Sequence, residues 1–352
     1  MSLLEIQALS KRYGDTLALD RVDLTVAEGE LVTLLGPSGS GKTTLLKVIA
    51  GFEAPSAGEV RLKGRDISRL PPARRGVGMV FQHYALFPHM TVAQNIGYGL
   101  KLRRGPRAER ERRVGEMIEL LRLGGLDRRY PRQLSGGQQQ RVALGRALAY
   151  DPELILMDEP LGALDRALRL EMEQEIRSLH RELGATIVYV THDQREAQGL
   201  SDRIAIVRDG RVVGVGTPKD LYSRPPSGFV AGFFADANLL AVETHELRGD
   251  GSARVRCMGC EIRCRATAGP DGEVVLAVRR RSLRRTPVQG ALRVRGIVRE
   301  MLLSGDEQQV VLEVEGAGRV VGALDSGEAE GLTLGSALEL FAPADEPVLV
   351  PK

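Results

Sequence analysis

The sequence GPSGSGKTT, residues 36–44, sets the architecture to be expected of this 352-residue chain. It matches G-x-x-x-x-G-K-[ST] and stands between the apolar run ELVTLLG (30–36) and the helical run LLKVIAG (45–51). In such a loop the glycines let backbone N–H groups face an anion, Lys42 reaches the β- and γ-phosphates, and Thr43 offers its hydroxyl to Mg²⁺. The predicted ATP-phosphate contacts are Gly36, Pro37, Ser38, Gly39, Ser40, Gly41, Lys42, Thr43 and Thr44.

An acidic pair follows a second apolar run, LILMDEP at 154–160. A P-loop nucleotide hydrolase needs an acidic residue at the end of a buried strand to hold the metal. Asp158 stands at that position, and Glu159 beside it is placed to orient or deprotonate an attacking water. The alternative is an acidic strand end that leads into a proline turn.

A third motif, LSGGQQQRVALGRAL at 134–148, begins a predicted helix with two glycines. Ser135 and Gln138 have the spacing of a capping box, which would satisfy backbone N–H groups of the first turn. Gly136 and Gly137 each cost about 1 kcal/mol relative to alanine in a helix, and a cap requires neither. A bare helix end is also a phosphate site, so this stretch alone leaves capping and anion binding both open.

Alternating apolar runs and helical patterns predict an α/β domain over residues 1–235. The predicted buried strands are 30–36, 154–158, 186–190 and 203–207, and the predicted helices are 107–123 and 166–183. After residue 235 the pattern changes to short alternating segments broken by glycine. Residues 236–352 are therefore predicted to form a small, barrel-like all-β domain.

Composition narrows the function classes. A net charge of +3 is too small to indicate nucleic acid, and the arginines around Arg279–Arg281 are interpreted as a solvated face. The chain has no run of 18 apolar residues and no basic-then-apolar start, so neither a membrane span nor an export signal is expected. Cys257, Cys260 and Cys264 lie on two predicted strands around Met258-Gly259 and are interpreted as small apolar packing, with metal or redox chemistry as the alternative.

Taken together, these motifs resemble those of ATP-binding cassette (ABC) ATPases. Their order and spacing match over residues 1–235: Gly36 to Thr43, LSGGQ at 134–138, LILMDE at 154–159 and THDQ at 191–194. In that family the LSGGQ helix end binds the γ-phosphate of ATP held by the P-loop of a second subunit. The resemblance therefore implies that Leu134, Ser135, Gly136, Gly137 and Gln138 act in trans, with Mg²⁺ as the cofactor.

Further roles follow from the resemblance, motif by motif. Tyr13 resembles the aromatic residue that stacks on adenine, and Gln82 resembles the glutamine that meets metal and water. His192 resembles the switch histidine that contacts the γ-phosphate, and Asp165 resembles the loop aspartate that crosses to the other subunit. The implied catalytic residues are Glu159, His192 and Gln82, and the implied metal contacts are Thr43, Gln82 and Asp158. Each isolated residue also has an ordinary structural explanation, so motif order carries these assignments.

The segment Tyr84–Pro88 directly follows Gln82 and is expected to be an exposed apolar cluster. Such a patch indicates docking, and in the resembling transporters this region accepts coupling helices of the membrane subunits. The alternative is a small core beneath a helical subdomain. The C-terminal domain resembles the TOBE-type regulatory domain of importer ATPases. It departs from the usual Arg-Pro-Glu turn by having Arg279-Arg280-Arg281, which weakens any inference about regulation.

The resemblance implies a bacterial importer ATPase that works as a homodimer beneath two transmembrane permease subunits. A periplasmic or lipid-anchored solute-binding protein is an indirect partner, nucleic acid is not a partner, and the expected location is the cytoplasmic face of the inner membrane. Polyamines such as spermidine or putrescine are the preferred solutes, with ferric iron, sugars and phosphonates as alternatives. A soluble ABC ATPase of DNA repair or translation would usually carry a coiled-coil insertion or two cassettes, and an exporter subunit would not be expected to carry this C-terminal domain.

Overall fold

The chain divides into two compact units, residues 1–218 and 219–352. A computed structural model describes residues 2–102, 106–162, 164–267, 269, 272–305 and 307–352.

The first unit contains ten strands and six helices within the described ranges. In chain order they are β1 (Ser2–Tyr13), β2 (Thr16–Ala27), β3 (Leu31–Leu35), α1 (Lys42–Ala50), β4 (Ala57–Leu62), β5 (Arg65–Asp66), β6 (Val77–Val80), α2 (Val92–Leu102), α3 (Arg107–Leu120), α4 (Gly136–Leu148), β7 (Leu154–Asp158), α5 (Arg166–Leu183), β8 (Ile187–Thr191), α6 (Gln194–Leu200), β9 (Arg203–Arg208) and β10 (Arg211–Gly216).

A six-stranded sheet forms the centre of this unit, with strand order β10-β9-β3-β8-β7-β6. Its strands pair in parallel except β10, which lies antiparallel to β9. All five residues of β3 and all five of β8 are buried. This burial agrees with their continuous apolar sequences, which predicted strands covered on both faces. The four predicted strands are confirmed to within one residue at each end.

A second sheet, with order β2-β1-β4-β5, is antiparallel and lies outside the sequence predictions. Leucine, isoleucine and valine side chains of β1 and β2 share a core with α1 and with one face of the parallel sheet. This sheet places the hairpin of β1 and β2 beside the glycine-rich loop, because the carbonyl oxygen of Ala18 approaches Gly41.

Helices α2, α3 and α4 form a helical subdomain whose apolar residues belong to a core shared with α5 and the other face of the parallel sheet. The predicted helix 107–123 ends at Leu120, because Arg122 has a left-handed φ of 54° that stops the helix. The predicted helix 166–183 is confirmed, and Gly184 closes it in the left-handed conformation with φ 58°. Met172, Ile176 and Leu179 form its buried face.

The second unit is mostly β-structure. Its elements are α7 (Pro218–Ser223), α8 (Gly228–Phe234), β11 (Ala237–Ala241), β12 (Thr244–Leu247), β13 (Ser252–Cys257), β14 (Cys260–Ala266), β15 (Val274–Arg279), β16 (Leu292–Ser304), β17 (Glu307–Val314), β18 (Gly318–Asp325), α9 (Ser326–Ala329), β19 (Ala337–Ala342) and β20 (Val348–Pro351). They form a six-stranded sheet, β11-β15-β20-β14-β13-β12, and a four-stranded sheet, β18-β17-β16-β19. One apolar core contains residues of both sheets, which confirms the predicted small β-domain.

The compact units divide at residue 218, whereas the sequence prediction put the domain boundary at 235. The difference has a packing cause. Ala231 of α8 belongs to a buried cluster with Ala277, Val348 and Val350, which lie on β15 and β20. Helix α8 therefore packs with the strands of the second unit, although it precedes residue 235.

Candidate functional site

The predicted site residues follow the carboxyl ends of four adjacent parallel strands. The glycine-rich loop follows β3, Gln82 follows β6, the acidic pair ends β7, and His192 follows β8. Parallel strands deliver their carboxyl ends to one edge of a sheet, and ligands of open α/β sheets bind there. Residues far apart in sequence therefore lie together.

The glycine-rich loop requires glycine at two positions. Gly41 has φ 106°, and a Cβ there would lie 2.7 Å from the carbonyl oxygen of Ala18. A Cβ on Gly36 would lie 2.1 Å from the carbonyl oxygen of Val207, closer than atoms can approach. Side chains at either position would push the loop away from the strands that hold it, so the backbone cradle depends on these glycines.

The loop has the character of an anion site. Among the described residues no side chain caps the N-terminus of α1, and the buried Ser40 Oγ has no hydrogen-bond partner there. Uncapped N–H groups and the positive end of the helix dipole both favour a phosphate. Lys42 lies inside the loop, where its Nζ donates to the carbonyl oxygens of Gly36 (2.8 Å) and Pro37 (2.9 Å). Burial lowers the pKa of Lys42, and Glu159 and Asp158 oppose that shift.

Thr43 and Asp158 meet at the base of the site. The Thr43 hydroxyl donates to Asp158 Oδ1 at 3.3 Å. Burial raises the pKa of Asp158, and the Thr43 hydrogen bond opposes that shift. A hydroxyl and a carboxylate are oxygen ligands, which suit Mg²⁺ held by one or two protein groups plus substrate phosphates. The residues present therefore fit that ion.

Glu159 contacts the two other predicted catalytic residues, Gln82 and His192. Its Oε2 lies 3.3 Å from Gln82 Nε2 and 3.3 Å from His192 Nδ1. The backbone of Glu159 is left-handed, with φ 43°. This conformation costs free energy in a residue other than glycine, and such residues are concentrated at functional sites, where the surrounding structure holds them in place. The turn aims this carboxylate across the strand ends toward both partners.

Tyr13 ends β1 on the hairpin that borders the glycine-rich loop. Its side chain is 42% exposed, and Lys11 Nζ lies 4.8 Å from the ring centroid. Exposed ring surface in this place is compatible with stacking on a nucleotide base. The adenine contact stays a prediction.

The LSGGQ segment begins α4 with the predicted capping box. Ser135 Oγ accepts from the Gln138 N–H at 3.3 Å, and Gln138 Oε1 accepts from the Ser135 N–H at 3.0 Å. Gly137 has a packing reason that the sequence argument missed, since a Cβ there would lie 3.0 Å from Leu168 of α5. Close packing against Leu168 is therefore a second reason for a small residue at this position, and anion binding in trans stays a prediction.

Asp165 is the N-cap of α5. Its Oδ1 accepts from the Leu168 N–H at 3.0 Å, and the side chain is exposed. Exposure of this loop is compatible with the predicted contact to a second subunit.

The segment after Gln82 is only partly exposed. Tyr84 is 6% exposed and belongs to the core of the helical subdomain, so the expectation that all of Tyr84–Pro88 is an exposed patch is wrong. The chain turns inward because Tyr84 and Ala85 both have left-handed φ values, 59° and 46°. Arg146 of α4 holds this turn by donating to the carbonyl oxygens of Tyr84 (2.7 Å) and Ala85 (2.6 Å). No motif marked Arg146 as part of this arrangement.

A groove of about 950 Å³ lies between α2 and α3, beside this segment. Its lining includes apolar residues such as Met90, Val114 and Ile118, with Lys101 and Arg110 among its basic residues. Tyr98 connects the groove to the segment, because its ring lies 4.4 Å from that of Phe87, centroid to centroid.

The three cysteines are confirmed as packing residues of a hairpin. Cys257 pairs with Cys260 across a turn at Met258-Gly259, and Cys257 and Cys264 are buried in the core of the β-unit. Burial raises the pKa of both buried thiols to about 11. Over the described ranges no group of three or more His, Cys, Asp or Glu residues could hold a metal.

The arginine run of the second unit is paired with acids. Arg279 contacts Glu346, and Arg281 Nε lies 2.9 Å from Glu307 Oε1. Pairing of this kind leaves less positive charge for an anionic partner than the sequence run alone suggests.

Comparison with known proteins adds a family and relatives. The profile of the family described as ABC transporter matches residues 19–162. The spermidine/putrescine import ATP-binding protein PotA of Thermobifida fusca is 45% identical over 339 residues, covering 94% of this chain and 88% of that protein. The sulfate/thiosulfate import ATP-binding protein CysA of Mycobacterium tuberculosis H37Rv is 46% identical over 288 residues, covering 75% and 82%.

A solved structure is also similar. It is the dimeric post-hydrolysis state of the ATP-binding cassette MJ0796 bound to ADP and Pi, with a TM-score of 0.54 and 35% identity, covering 61% of this chain and 98% of that one. Within the part of the chain that the structure describes, no helix has the length and apolar character needed to cross a membrane.

Proposed function

Because this chain belongs to the ABC transporter ATPase family, we propose that it is the ATP-hydrolysing subunit that energises a bacterial solute importer. The observation that carries the proposal is the convergence of Gln82 and His192 on Glu159 Oε2, each at 3.3 Å. These groups lie at the strand ends beside the phosphate-binding loop, where an attacking water and a γ-phosphate would meet.

The residues have separable roles in hydrolysis. Lys42 and the N–H groups at the start of α1 bind the phosphates and stabilise charge as the γ-phosphoryl group is transferred. Glu159 orients the water and accepts its proton while the bond to the ADP oxygen breaks, and His192 contacts the γ-phosphate. Thr43, Asp158 and Gln82 would hold Mg²⁺, which neutralises charge on the β- and γ-oxygens when bound.

The proposal includes a homodimer with two ATP molecules between its subunits. Ser135 is exposed at the start of α4, and Asp165 is exposed at the start of α5. Both helix starts can therefore meet a second copy, with the Ser135–Gln138 segment on the phosphate held by the other subunit. The similar solved cassette is a dimer, which supports this arrangement. ATP binding closes the dimer, and hydrolysis reopens it.

Two membrane permease subunits are the proposed partners, each docking a short helix in the groove between α2 and α3. The groove offers apolar surface rimmed by residues of both signs, Lys101 and Arg110 on one hand and Glu111 and Asp127 on the other, so an amphipathic helix fits it. Movement there would reach the segment after Gln82 through the contact between the tilted rings of Tyr98 and Phe87. Arg146 of α4 donates to the carbonyl oxygens of Tyr84 and Ala85 in the same segment. Docking of a permease helix could therefore also move α4, whose first residues belong to the LSGGQ motif.

Polyamines are the proposed solute. The spermidine/putrescine import relatives match over nearly the whole chain, 94% and 93% in two cases, whereas the sulfate/thiosulfate import relatives match over 75% or less. A match over 94% of the chain must include most of the second unit as well as the ATPase unit. Sulfate or thiosulfate is the second candidate, and ferric iron, sugars and phosphonates follow. The proposed location is peripheral, on the cytoplasmic face of the inner membrane.

Reconstitution tests function and solute together. The chain is assembled with its permease partners and solute receptor in vesicles, and phosphate release is measured with the receptor empty or loaded with spermidine, putrescine, sulfate or ferric iron. We expect spermidine or putrescine to stimulate turnover and Glu159→Gln to abolish the stimulated rate. Stimulation by another solute alone would replace the solute assignment, and no ATP turnover in any arm would overturn the proposed function.

A further inference from the structure

Arg169 lies in the first turns of α5 and joins two segments that each carry a predicted site residue. Its Nη2 donates to the carbonyl oxygen of Leu164 at 3.1 Å, directly before Asp165. Its Nη1 lies 3.5 Å from Asp193 Oδ2, directly after His192, and its Nε lies 3.8 Å from Glu196 Oε1. One guanidinium therefore spans the Asp165 loop and the His192 turn.

Glu196 extends this connection to the other side of His192. Its Oε2 accepts from the hydroxyls of Thr191 (2.7 Å) and Tyr189 (3.0 Å). The Thr191 hydroxyl oxygen in turn accepts from the Asp193 N–H at 3.0 Å. The residues on both sides of His192 are thus held to one carboxylate, and any shift of that carboxylate moves the histidine's backbone.

Charge and burial explain why the arrangement needs Arg169. Glu196 is only 4% exposed, and a buried carboxylate is costly without a cation. Burial raises the pKa of Glu196, Asp193 raises it further, and the two hydroxyls and Arg169 oppose that shift. Removing Arg169 would leave three neighbouring carboxylates, Glu196, Asp193 and Glu173, without its positive charge.

One contact of the guanidinium is incomplete. Arg169 Nε is buried and makes no hydrogen bond among the described residues, at 3.8 Å from Glu196 Oε1. A displacement of about 1 Å would bring the pair to hydrogen-bonding distance. A small shift of the guanidinium, which also contacts the Leu164 carbonyl oxygen, would therefore change its pairing with Glu196.

We propose that Arg169 is a positioning residue that couples the Asp165 loop to the His192 turn within one subunit. The inference rests on the proposed function, in which Asp165 meets the second subunit and His192 meets the γ-phosphate. When the second subunit displaces the loop that contains Asp165, the guanidinium of Arg169 transmits the displacement to Glu196. The position of His192 then changes with that of Glu196. Dimer closure is thereby connected to the reacting site without any contact between Arg169 and ATP.

The test compares Arg169→Met and Arg169→Lys with wild type and with Arg177→Met, which removes an exposed arginine from the same helix. Steady-state phosphate release gives kcat and KM for ATP, and calorimetry gives the melting temperature. We expect Arg169→Met to lower kcat by at least about tenfold, since a misplacement of about 1 Å can cost about a hundredfold. KM for ATP should stay within about threefold, because the phosphate-binding loop is untouched.

Arg169→Lys separates positioning from charge. Lysine restores a cation beside Glu196 but lacks the planar fork that also reaches the Leu164 carbonyl, so we expect a near-wild-type melting temperature with kcat still reduced. If lysine restores both the melting temperature and kcat, the role of Arg169 is only to neutralise Glu196, and the proposal is overturned. An unchanged kcat in Arg169→Met overturns it as well, and Arg169→Lys decides if the methionine variant does not fold.

A double-mutant cycle tests whether Arg169 acts on His192 through Glu196. If Arg169 acts through Glu196, the loss of kcat in Arg169→Met with Glu196→Gln should be clearly smaller than the product of the two single losses. Multiplicative losses would show independent effects and contradict the coupling. Absence of ATP turnover in wild type would instead contradict the proposed function, so the two failures are distinguishable.

Discussion

His192 Nδ1 lies 3.3 Å from Glu159 Oε2, although the two residues follow different strands of the parallel sheet. Each residue sits at the carboxyl end of its strand, and β7 and β8 are neighbours in the sheet. A carboxylate with a histidine beside it can hold a water and direct its proton away from the phosphate. In the proposed function, the water attacks beside these two side chains.

Glu159→Gln should separate binding from hydrolysis. Glutamine keeps the size and one acceptor but loses the charge and the basicity, and a general base contributes on the order of 10²- to 10⁴-fold. Turnover should fall by at least about two decades while ATP binding is retained. Size exclusion with Mg-ATP should then show an accumulated dimer, because closure is no longer followed by hydrolysis.

Asp158→Asn is the matched control for that variant, since it changes the neighbouring carboxylate, which is assigned to the metal. It should weaken Mg-ATP binding itself, as measured by titration with a fluorescent nucleotide. Near-normal turnover in Glu159→Gln, or a loss of ATP binding like that of Asp158→Asn, would place the base elsewhere.

Ser135→Arg tests whether α4 acts on the phosphate of a second subunit. Arginine adds bulk and charge at the helix start, so it should block ATP-dependent dimerisation of a Glu159→Gln background while monomer binding of ATP persists. Ser135→Ala is the control, because it also loses the Ser135 Oγ cap, which costs about 1 kcal/mol, but adds no bulk. Loss of monomer ATP binding in the arginine variant would argue for a site in cis.

Arg75 should be essential for stability rather than for chemistry. Its side chain is 2% exposed, and its guanidinium donates to the carbonyl oxygens of Val48 (2.6 Å) and Ile49 (2.9 Å) at the end of α1. It also donates to Leu70 (2.7 Å) and Ser68 (2.9 Å). Arg75→Met removes these four hydrogen bonds to carbonyl oxygens and should lower the free energy of unfolding by at least about 3 kcal/mol.

The exposed neighbour Arg74 supplies the comparison for Arg75. Arg74→Met should change the free energy of unfolding by no more than about 0.5 kcal/mol, as for most surface substitutions. Calorimetry of the full chain measures both. Equal melting temperatures for the two variants would show that the buried guanidinium contributes nothing to the end of α1.

The buried thiols should be unreactive at neutral pH. Cys257 and Cys264 have pKa values of about 11, raised from 9.0 by burial, so almost no thiolate is present at pH 8. Iodoacetamide should label at most Cys260 in the folded chain and all three cysteines in urea, as counted by mass spectrometry. Three labels on the folded chain would contradict the packing assignment.

The same shifts have a consequence for stability in alkali. A thiol whose folded pKa exceeds its unfolded value contributes stability that is complete below the unfolded value and is lost as the pH rises through the folded value. The melting temperature should therefore fall between pH 9 and about pH 11. The fall should be smaller in a Cys257→Ala, Cys264→Ala variant, and an equal fall would assign it to other groups.

The sequence by itself determined the local features of this protein. Continuous apolar runs predicted β3, β7, β8 and β9, and the spacing around Lys42 predicted the phosphate-binding loop. Each pattern lies within a few consecutive residues, so it can be recognised without knowing which segments pack together. The order of the motifs indicated the family, and a relative that is 50% identical over 68% of this chain is an import ATP-binding protein. The capping box of Ser135 and Gln138 is a local feature of the same kind, and its prediction needed no tertiary information.

Only the tertiary structure decided which distant side chains meet. Gln82, Glu159 and His192 share one carboxylate oxygen because strand order and register bring three strand ends together, and no spacing along the chain encodes that distance. The burial of Tyr84 and the contacts of Arg75 and Arg169 are decided in the same way. An arginine has the same side chain on a surface or in a core, and its role depends on which carbonyl and carboxylate oxygens the packed elements place around it.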